Sequence, residues 1–351
     1  MSDDDNNVLP ANDPATRAVD ELFNSFITDE TPGAIVIVLR DSEIQYESAY
    51  GLANLEENVL LSADHMMHIA SMGKQMTGLA VMMLSEDGLL KYDDPVGRHI
   101  PELEHFGEDF TIRTLLNHTS GLADYDDGIT DALFELSDEP TNDDLVTVLS
   151  QMDGPTNEPG TEFLYSNPGY DLLAVVIERA SGMTYPEFMQ SHIFDKLGMT
   201  HTFSLPNPQR RNGPMVAISY TLEDEAPVAY PFDSLDNLVG SGSIYTTVGD
   251  MALYDEALYG DELVAQSTLQ DAFQPAQLKN GSSEPYGFGW ELEEWNGESY
   301  IAHSGAWLGF QSDYVRFPER HFSVIVMLNR DYDIPDSDER IALQVAEFYL
   351  K

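Results

Sequence analysis

Ala34 to Arg40 (AIVIVLR) is apolar up to its last residue and rich in β-branched side chains, which predicts a buried strand. Glu43 to Tyr50 alternates less cleanly and pairs with it as a hairpin, after a turn at Thr31-Pro32-Gly33. Upstream, Asp13-Pro14 reads as the N-cap and first position of a helix reaching about Ile27. Gly73 to Leu84 (GKQMTGLAVMML) is a helix-compatible apolar stretch that Glu86-Asp87-Gly88 ends, with Gly88 at the C-cap. From Tyr92 to about Glu225 helical patterns dominate, joined by Gly-, Pro- and Asp-heavy segments such as Met152 to Gly160. Tyr170 to Ser181 and Tyr185 to Leu197 read there as amphipathic helices. Gly287 to Leu328 holds three or four strand-like runs, including Tyr314 to Phe317 and Phe322 to Leu328, and residues 336–350 read as a closing helix. Strands at both ends with helices between predict an α/β chain of the α+β type. Residues 14–92 and 226–351 would form an α/β lobe, residues 93–225 a mostly helical inserted lobe, and residues 1–13 a disordered acidic tail.

Composition narrows the classes. The chain has 351 residues, enough for a sizeable core, and no run of 18 apolar residues, so no membrane insertion is expected. The segment MSDDDNNVLPANDP has neither the basic nor the apolar region of a signal peptide. A cytoplasmic protein and a periplasmic or extracellular one with its leader removed both fit. Zero cysteines exclude disulfides, thiolate metal sites and a cysteine nucleophile. Asp and Glu number 62 against 16 Lys and Arg, for a net charge of −46. Such a surface repels nucleic acid and anionic membranes, and it repels itself at low ionic strength. Molar salt shortens the Debye length to about 3 Å and removes most of that repulsion, so the balance predicts a protein adapted to high salt.

The candidate chemistry starts at Ser71-Met72-Gly73-Lys74, at the head of the apolar helical stretch. Residues three apart on a helix share a face, which brings a hydroxyl within reach of an amine able to activate it. Two further motifs follow in order: Tyr165-Ser166-Asn167, and His303-Ser304-Gly305 between two strand-like runs. Together they resemble the penicillin-recognising serine hydrolases: class C β-lactamases, DD-peptidases, D-aminopeptidases and β-lactamase-like esterases. Their elements are S-x-x-K, Y-x-N or S-x-N, and K/H-[TS]-G. Leu115 to Leu122 (LLNHTSGL), Gly240 to Thr247 (GSGSIYTT) and Phe310 to Asn329 also look like the family, so the resemblance spans roughly residues 20–350.

The resemblance implies a β-lactamase/transpeptidase-like fold, an antiparallel sheet flanked by helices, with the active site in a cleft between lobes. It also implies a Ser71 acyl-enzyme, with Lys74 and Tyr165 sharing the proton traffic. Both titrate near 10 when unperturbed, so one must be depressed to act as a base at neutral pH, and sequence does not say which. By the same carry-over, Asn167 bonds Lys74 and the substrate, and the backbone N–H groups of Ser71 and Ala306 form the oxyanion hole. His303, Ser304 and Gly305 would then bind substrate. A histidine at position 303 is mostly neutral at pH 7, so it pulls less on a carboxylate than the lysine of most β-lactamases. That favours a D-amino-acid peptide or amide, or a short-chain ester, over a β-lactam. β-Lactamase activity is the alternative, and a non-hydrolytic penicillin-binding or sensor module is the alternative of another class. Trp307 reads equally as an acyl-pocket wall or a packing residue, and His118 as structural. The Met66-Met67 and Met82-Met83 pairs read as core filler. His65 and His68 lack a third ligand at metal spacing, so no metal or cofactor is expected. The implied partner is a small-molecule or peptide substrate, and oligomeric state stays open.

Overall fold

The structure, a computed structural model, describes residues 13–125, 128–206, 208–224, 226–332 and 340–351. The expected tail lies outside these residues except for Asp13. Six antiparallel strands form the main sheet: β1 (Ala34–Arg40), β2 (Glu43–Tyr50), β3 (Glu291–Trp295), β4 (Glu298–Trp307), β5 (Phe310–Phe317) and β6 (Phe322–Leu328). Their spatial order is β3-β4-β5-β6-β1-β2. The two ends of the chain meet where β1 pairs with β6, Ala34 opposite Leu328 through Arg40 opposite Phe322. Asp41 and Ser42, both at positive φ, turn β1 into β2. Two central residues at positive φ suit the right-handed twist of a hairpin.

Both faces of the sheet are covered, which is why β1 and β6 read as almost wholly apolar runs, broken only by Arg40 and Ser323. Helix α1 (Pro14–Asn24) and the closing helix (Ile341–Leu350) pack on one face, where Val19, Phe23, Leu343 and Val345 meet Val36, Val38, Val324 and Val326. The opposite sheet face, with Ile35, Ile37, Ile325 and Met327, joins the larger core around Met72, Met76 and Leu79. Each such aliphatic side chain contributes about 1.5–3 kcal/mol on full burial.

Asp13 caps α1 as expected, its Oδ1 accepting from Ala15 N–H at 2.8 Å. The helix stops at Asn24, short of Ile27, because the Ser25 hydroxyl takes the Leu22 carbonyl at 2.6 Å. Helix α2 (Lys74–Glu86) ends on Asp87, with Gly88 one residue further at φ +71. Helix α3 (Asn167–Ser181) begins three residues before the predicted Tyr170, with Ser166 as its N-cap. The closing helix starts at Ile341, and residues 333–339 lie outside the described set.

Candidate active site

Ser71 lies in a short 3₁₀ turn, Ala70–Gly73, that feeds directly into α2. In a 3₁₀ turn residues i and i+3 eclipse, which brings Lys74 over Ser71 more directly than an α-turn would. Ala70 holds φ +48, a conformation that costs a non-glycine residue roughly 1–2 kcal/mol. Its neighbours fix it there. Ala70 N–H donates to His68 Nδ1 at 3.0 Å, Ile69 N–H to the Ile244 carbonyl at 2.9 Å, and the Ser312 hydroxyl to the Ile69 carbonyl at 2.6 Å.

Lys74 is fully buried. Its Nζ reaches three oxygens: Ser71 Oγ at 2.9 Å, Asn167 Oδ1 at 2.7 Å and the Ser241 carbonyl at 2.7 Å. Burial pushes its pKa well below the usual lysine range, while Asp171 and Asp124 pull the other way. Tyr165, whose ring centroid lies 4.9 Å from Lys74 Nζ, moves in the opposite direction. Burial raises its phenol further above neutrality, although the Ser71 hydroxyl opposes the rise. Of the two base candidates, Lys74 is the one whose local environment favours the unprotonated form near neutral pH.

The middle motif is placed by capping. Ser166 Oγ accepts from Gly169 N–H at 3.2 Å and donates to the Ala123 carbonyl at 3.0 Å, which starts α3 and sets Asn167 in its first turn. His118, at φ +57, accepts from Ser166 N–H at 3.1 Å. Its ring lies among those of Tyr165, Tyr170 and Tyr286, so it supports the motif from behind, as the structural reading expected. Asn167 Nδ2 donates to both Asp124 oxygens at 3.2 Å, which leaves its Oδ1 to face Lys74.

The third motif is built differently. Pairing between β3 and β4 ends at Glu291 opposite Ala302, so residues 303–307 leave one backbone edge free of β3. Gly305 crosses the Ser71 turn so closely that a Cβ there would stand 2.3 Å from the Ile69 carbonyl and 2.9 Å from Ser71 N. Ser304 is exposed, while Ala306 and Trp307 line the Ser71 cleft. His303, expected to bind substrate, turns its side chain inward from the cleft. It is 1% exposed, Nδ1–H donates to the Ser304 carbonyl at 2.6 Å, and Nε2 accepts from the Tyr286 hydroxyl at 2.9 Å. Burial, with Lys74 adding to it, lowers its pKa to about 3, and it is absent from the cleft lining. A neutral ring with both nitrogens occupied offers nothing to a carboxylate.

The cleft beside Ser71 has about 520 Å³ of empty space, part of it open to solvent. Leu205, Leu235, Leu238 and Trp307 give it an apolar wall, with Tyr125, Asn167 and Ser241 at the polar end. The Trp307 indole is held by Asp236, Nε1 to Oδ1 at 2.7 Å. A small sheet of Met67–His68, Ile244–Thr246 and Phe203–Ser204 carries His68 and the Gly240–Ser243 segment to this cleft. Sequence reasoning gave no role to His68, Asp124, Tyr125, Asp171, Asp236 or Ser241. Asp171 did leave a signal, an acid inside the apolar run of Tyr170 to Ile177 (YDLLAVVI). Among the described residues no group of three or more His, Cys, Asp or Glu is arranged to hold a metal ion, and no helix is long and apolar enough to cross a membrane.

Comparison with known proteins fixes what this arrangement belongs to. The family model described as Beta-lactamase matches residues 19–347. This chain belongs to the beta-lactamase family. Within the family it is similar to penicillin-binding protein 4* of Bacillus subtilis, 34% identical over 90% of this chain and 71% of that protein. Against two further curated relatives, a B. subtilis penicillin-binding protein and the flp protein of Staphylococcus aureus, it spans 60% and 63% of their length. The octameric penicillin-binding protein homologue from Pyrococcus abyssi superposes with a TM-score of 0.80 at 24% identity, covering 96% of this chain and 76% of that one. The D-amino acid amidase of Ochrobactrum anthropi SV3 superposes at 0.74 and 22%, covering 96% and 98%. The β-lactamase/transpeptidase-like fold is thus shared, in a family of serine hydrolases whose substrates differ.

Proposed function

We propose that the protein hydrolyses uncharged ester or D-amino-acid amide bonds through a Ser71 acyl-enzyme. The observation that carries this reading is a fully buried Lys74 with Nζ 2.9 Å from Ser71 Oγ. An amine so placed takes the Ser71 proton as Oγ attacks the acyl carbon. The new Oγ–C bond forms, the C–N or C–O bond breaks, and the proton passes to the leaving group with Tyr165 as the relay nearest Ser71. Water then attacks the acyl carbon, the Oγ–C bond breaks, and the proton water gives up returns to Ser71 Oγ as the acid is released. Ser71 and Ala306 N–H groups would hold the oxyanion, each worth about 3–4 kcal/mol to the transition state. The apolar wall suits a small uncharged acyl group, and His303 leaves the third motif without a cation for a β-lactam carboxylate.

The similarity to proteins named penicillin-binding keeps one second reading in play, acylation by β-lactams without turnover. Intact-mass spectrometry in molar salt separates the two, with p-nitrophenyl butyrate, D-phenylalanine amide and benzylpenicillin as probes and Ser71→Ala as control. Turnover of ester or amide, lost by at least about 10⁴-fold in the variant, is expected. A persistent adduct of one penicillin mass with no turnover of ester or amide would replace this function with the binding reading. Equal turnover by Ser71→Ala would remove Ser71 as nucleophile.

A further inference from the structure

Behind Lys74 lies a second buried ionisable group to which the reaction as described assigns no part. Asp171 sits one turn along α3 from Asn167 and is fully buried. Its Oδ1 accepts from Ser241 N–H at 2.9 Å, and the carbonyl of the same residue accepts from Lys74 Nζ at 2.7 Å. Its Oδ2 accepts from the hydroxyl of Tyr125, a residue of the cleft wall. The Ser241 segment is fixed besides. Asn142 bonds Val239 through both N–H and carbonyl, Thr77 Oγ1 donates to the Gly240 carbonyl at 2.7 Å, and Gly240 at φ +118 passes so close to Tyr170 that a Cβ would meet its carbonyl at 2.3 Å. A carboxylate and an ammonium are therefore joined through the backbone of one residue, Ser241, whose N–H, in the peptide shared with Gly240, faces the acid and whose C=O, in the following peptide, faces the amine.

We propose that Asp171 is the positioning residue for Lys74: through the Ser241 backbone it holds the amine against Ser71 and sets the pH at which that amine becomes a base. The inference rests on Lys74 being the base. An ionised carboxylate at this point favours the ammonium, and the two adjacent peptide groups that meet at Ser241 carry the same sense, one with its N–H toward the acid and the next with its C=O toward the amine. The directions agree, since Asp171 raises the proton affinity of Lys74 and Lys74 lowers that of Asp171, against burial that acts oppositely on each. Other groups face the pair. Asp124 adds to the hold on the Lys74 proton, while His118 and His303, both held neutral, and Tyr125, Tyr165 and Tyr185, all kept protonated, add no charge at neutral pH. Asp171 is thus one of two acids, and the one joined to Lys74 through the Ser241 backbone.

The test is the pH dependence of Ser71 labelling by a fluorophosphonate, which needs no knowledge of the substrate. In that reaction the Oγ–P bond forms, fluoride leaves, and the Ser71 proton passes to Lys74. For Asp171→Asn, which keeps the side-chain shape, the acid limb of the labelling rate is expected about one pH unit lower than in the wild type, the low end of what a neighbouring opposite charge does. Tyr125→Phe weakens the ionised form of Asp171 and is expected to move the limb the same way by about half as much. A slower reaction with the limb unmoved in both variants would reduce Asp171 to a structural part and overturn the proposal. Should Asp171→Asn fail to fold, Tyr125→Phe decides alone. A wild type that is not labelled at any pH would instead overturn the nucleophile reading, and this inference with it.

Discussion

The two ends of the cleft use the polypeptide in different ways. At the Ser71 end the side chains carry the arrangement: a hydroxyl and an amide oxygen lie 2.9 and 2.7 Å from one buried amine, Lys74 Nζ. At the 303–306 end the backbone carries it. His303 turns inward to Tyr286, Gly305 contributes only its lack of a side chain, and the free edge of β4 runs past the nucleophile. Two motifs of one family therefore impose different demands on substitution. In the first the chemical group is irreplaceable; in the second it is the shape of the chain.

If that contrast holds, the largest effect at the backbone end comes from adding one methyl group. Gly305→Ala places a Cβ against backbone at Ile69 and Ser71, neither of which is a flexible side-chain end. The turn must move, and with it the oxyanion geometry, so kcat/KM on the best ester is expected to fall by about 100-fold or more. Activity within a few-fold of wild type would mean that β4 does not set the nucleophile turn.

A smaller effect is expected at the neighbouring histidine. His303→Asn keeps a polar side chain beside Tyr286, so less than about tenfold in kcat/KM should be lost, together with about 1–3 kcal/mol of stability for the disturbed buried hydrogen bonds. The pH dependence is more diagnostic. His303 titrates at about 3 when folded and near 6.5 when unfolded, so the unfolded chain binds the extra proton between these values. Stability from this group is present above pH 6.5 and is lost as pH falls toward 3. The stability gap between wild type and His303→Asn should therefore narrow on acidification. A gap that widens, or a selective loss of carboxylate-bearing substrates, would return His303 to substrate recognition.

The same contrast explains what the sequence made legible. The Ser71 and Lys74 pair was readable because its contact is local, three residues along one turn. β1 and β6 were readable because burial on both faces leaves only one polar position in each, Arg40 and Ser323, to blur them. β3 was harder: ELEEW is acid-rich and nowhere fully buried at the sheet edge, so its pattern says little about where it begins. The direction of His303 was not legible because a motif letter fixes identity but not orientation. Direction came from Tyr286, 17 residues away, and from its own neighbour Ser304. Asp171, Tyr125 and Ser241 escaped because their contacts span 46 and 70 residues, distances over which no periodicity reports.

The smallest predicted effect sets the site against the surface around it. A net charge of −46 raises the proton affinity of every base in the molecule, Lys74 included, and salt screens that field. Screening acts on exposed charges much more than on a fully buried amine whose partners lie within 3 Å. Between 0.2 and 3 M KCl the melting temperature is therefore expected to rise by roughly 5 °C or more as surface repulsion is removed. Over the same range the acid limb of kcat/KM should fall by less than about half a pH unit, because burial and Asp171 rather than the distant carboxylates govern Lys74. Both curves come from one set of buffers. A limb that moves by more than a unit would show that the surface field controls the base. A flat melting curve would detach the acidic surface from any adaptation to salt and leave the local account of Lys74 intact.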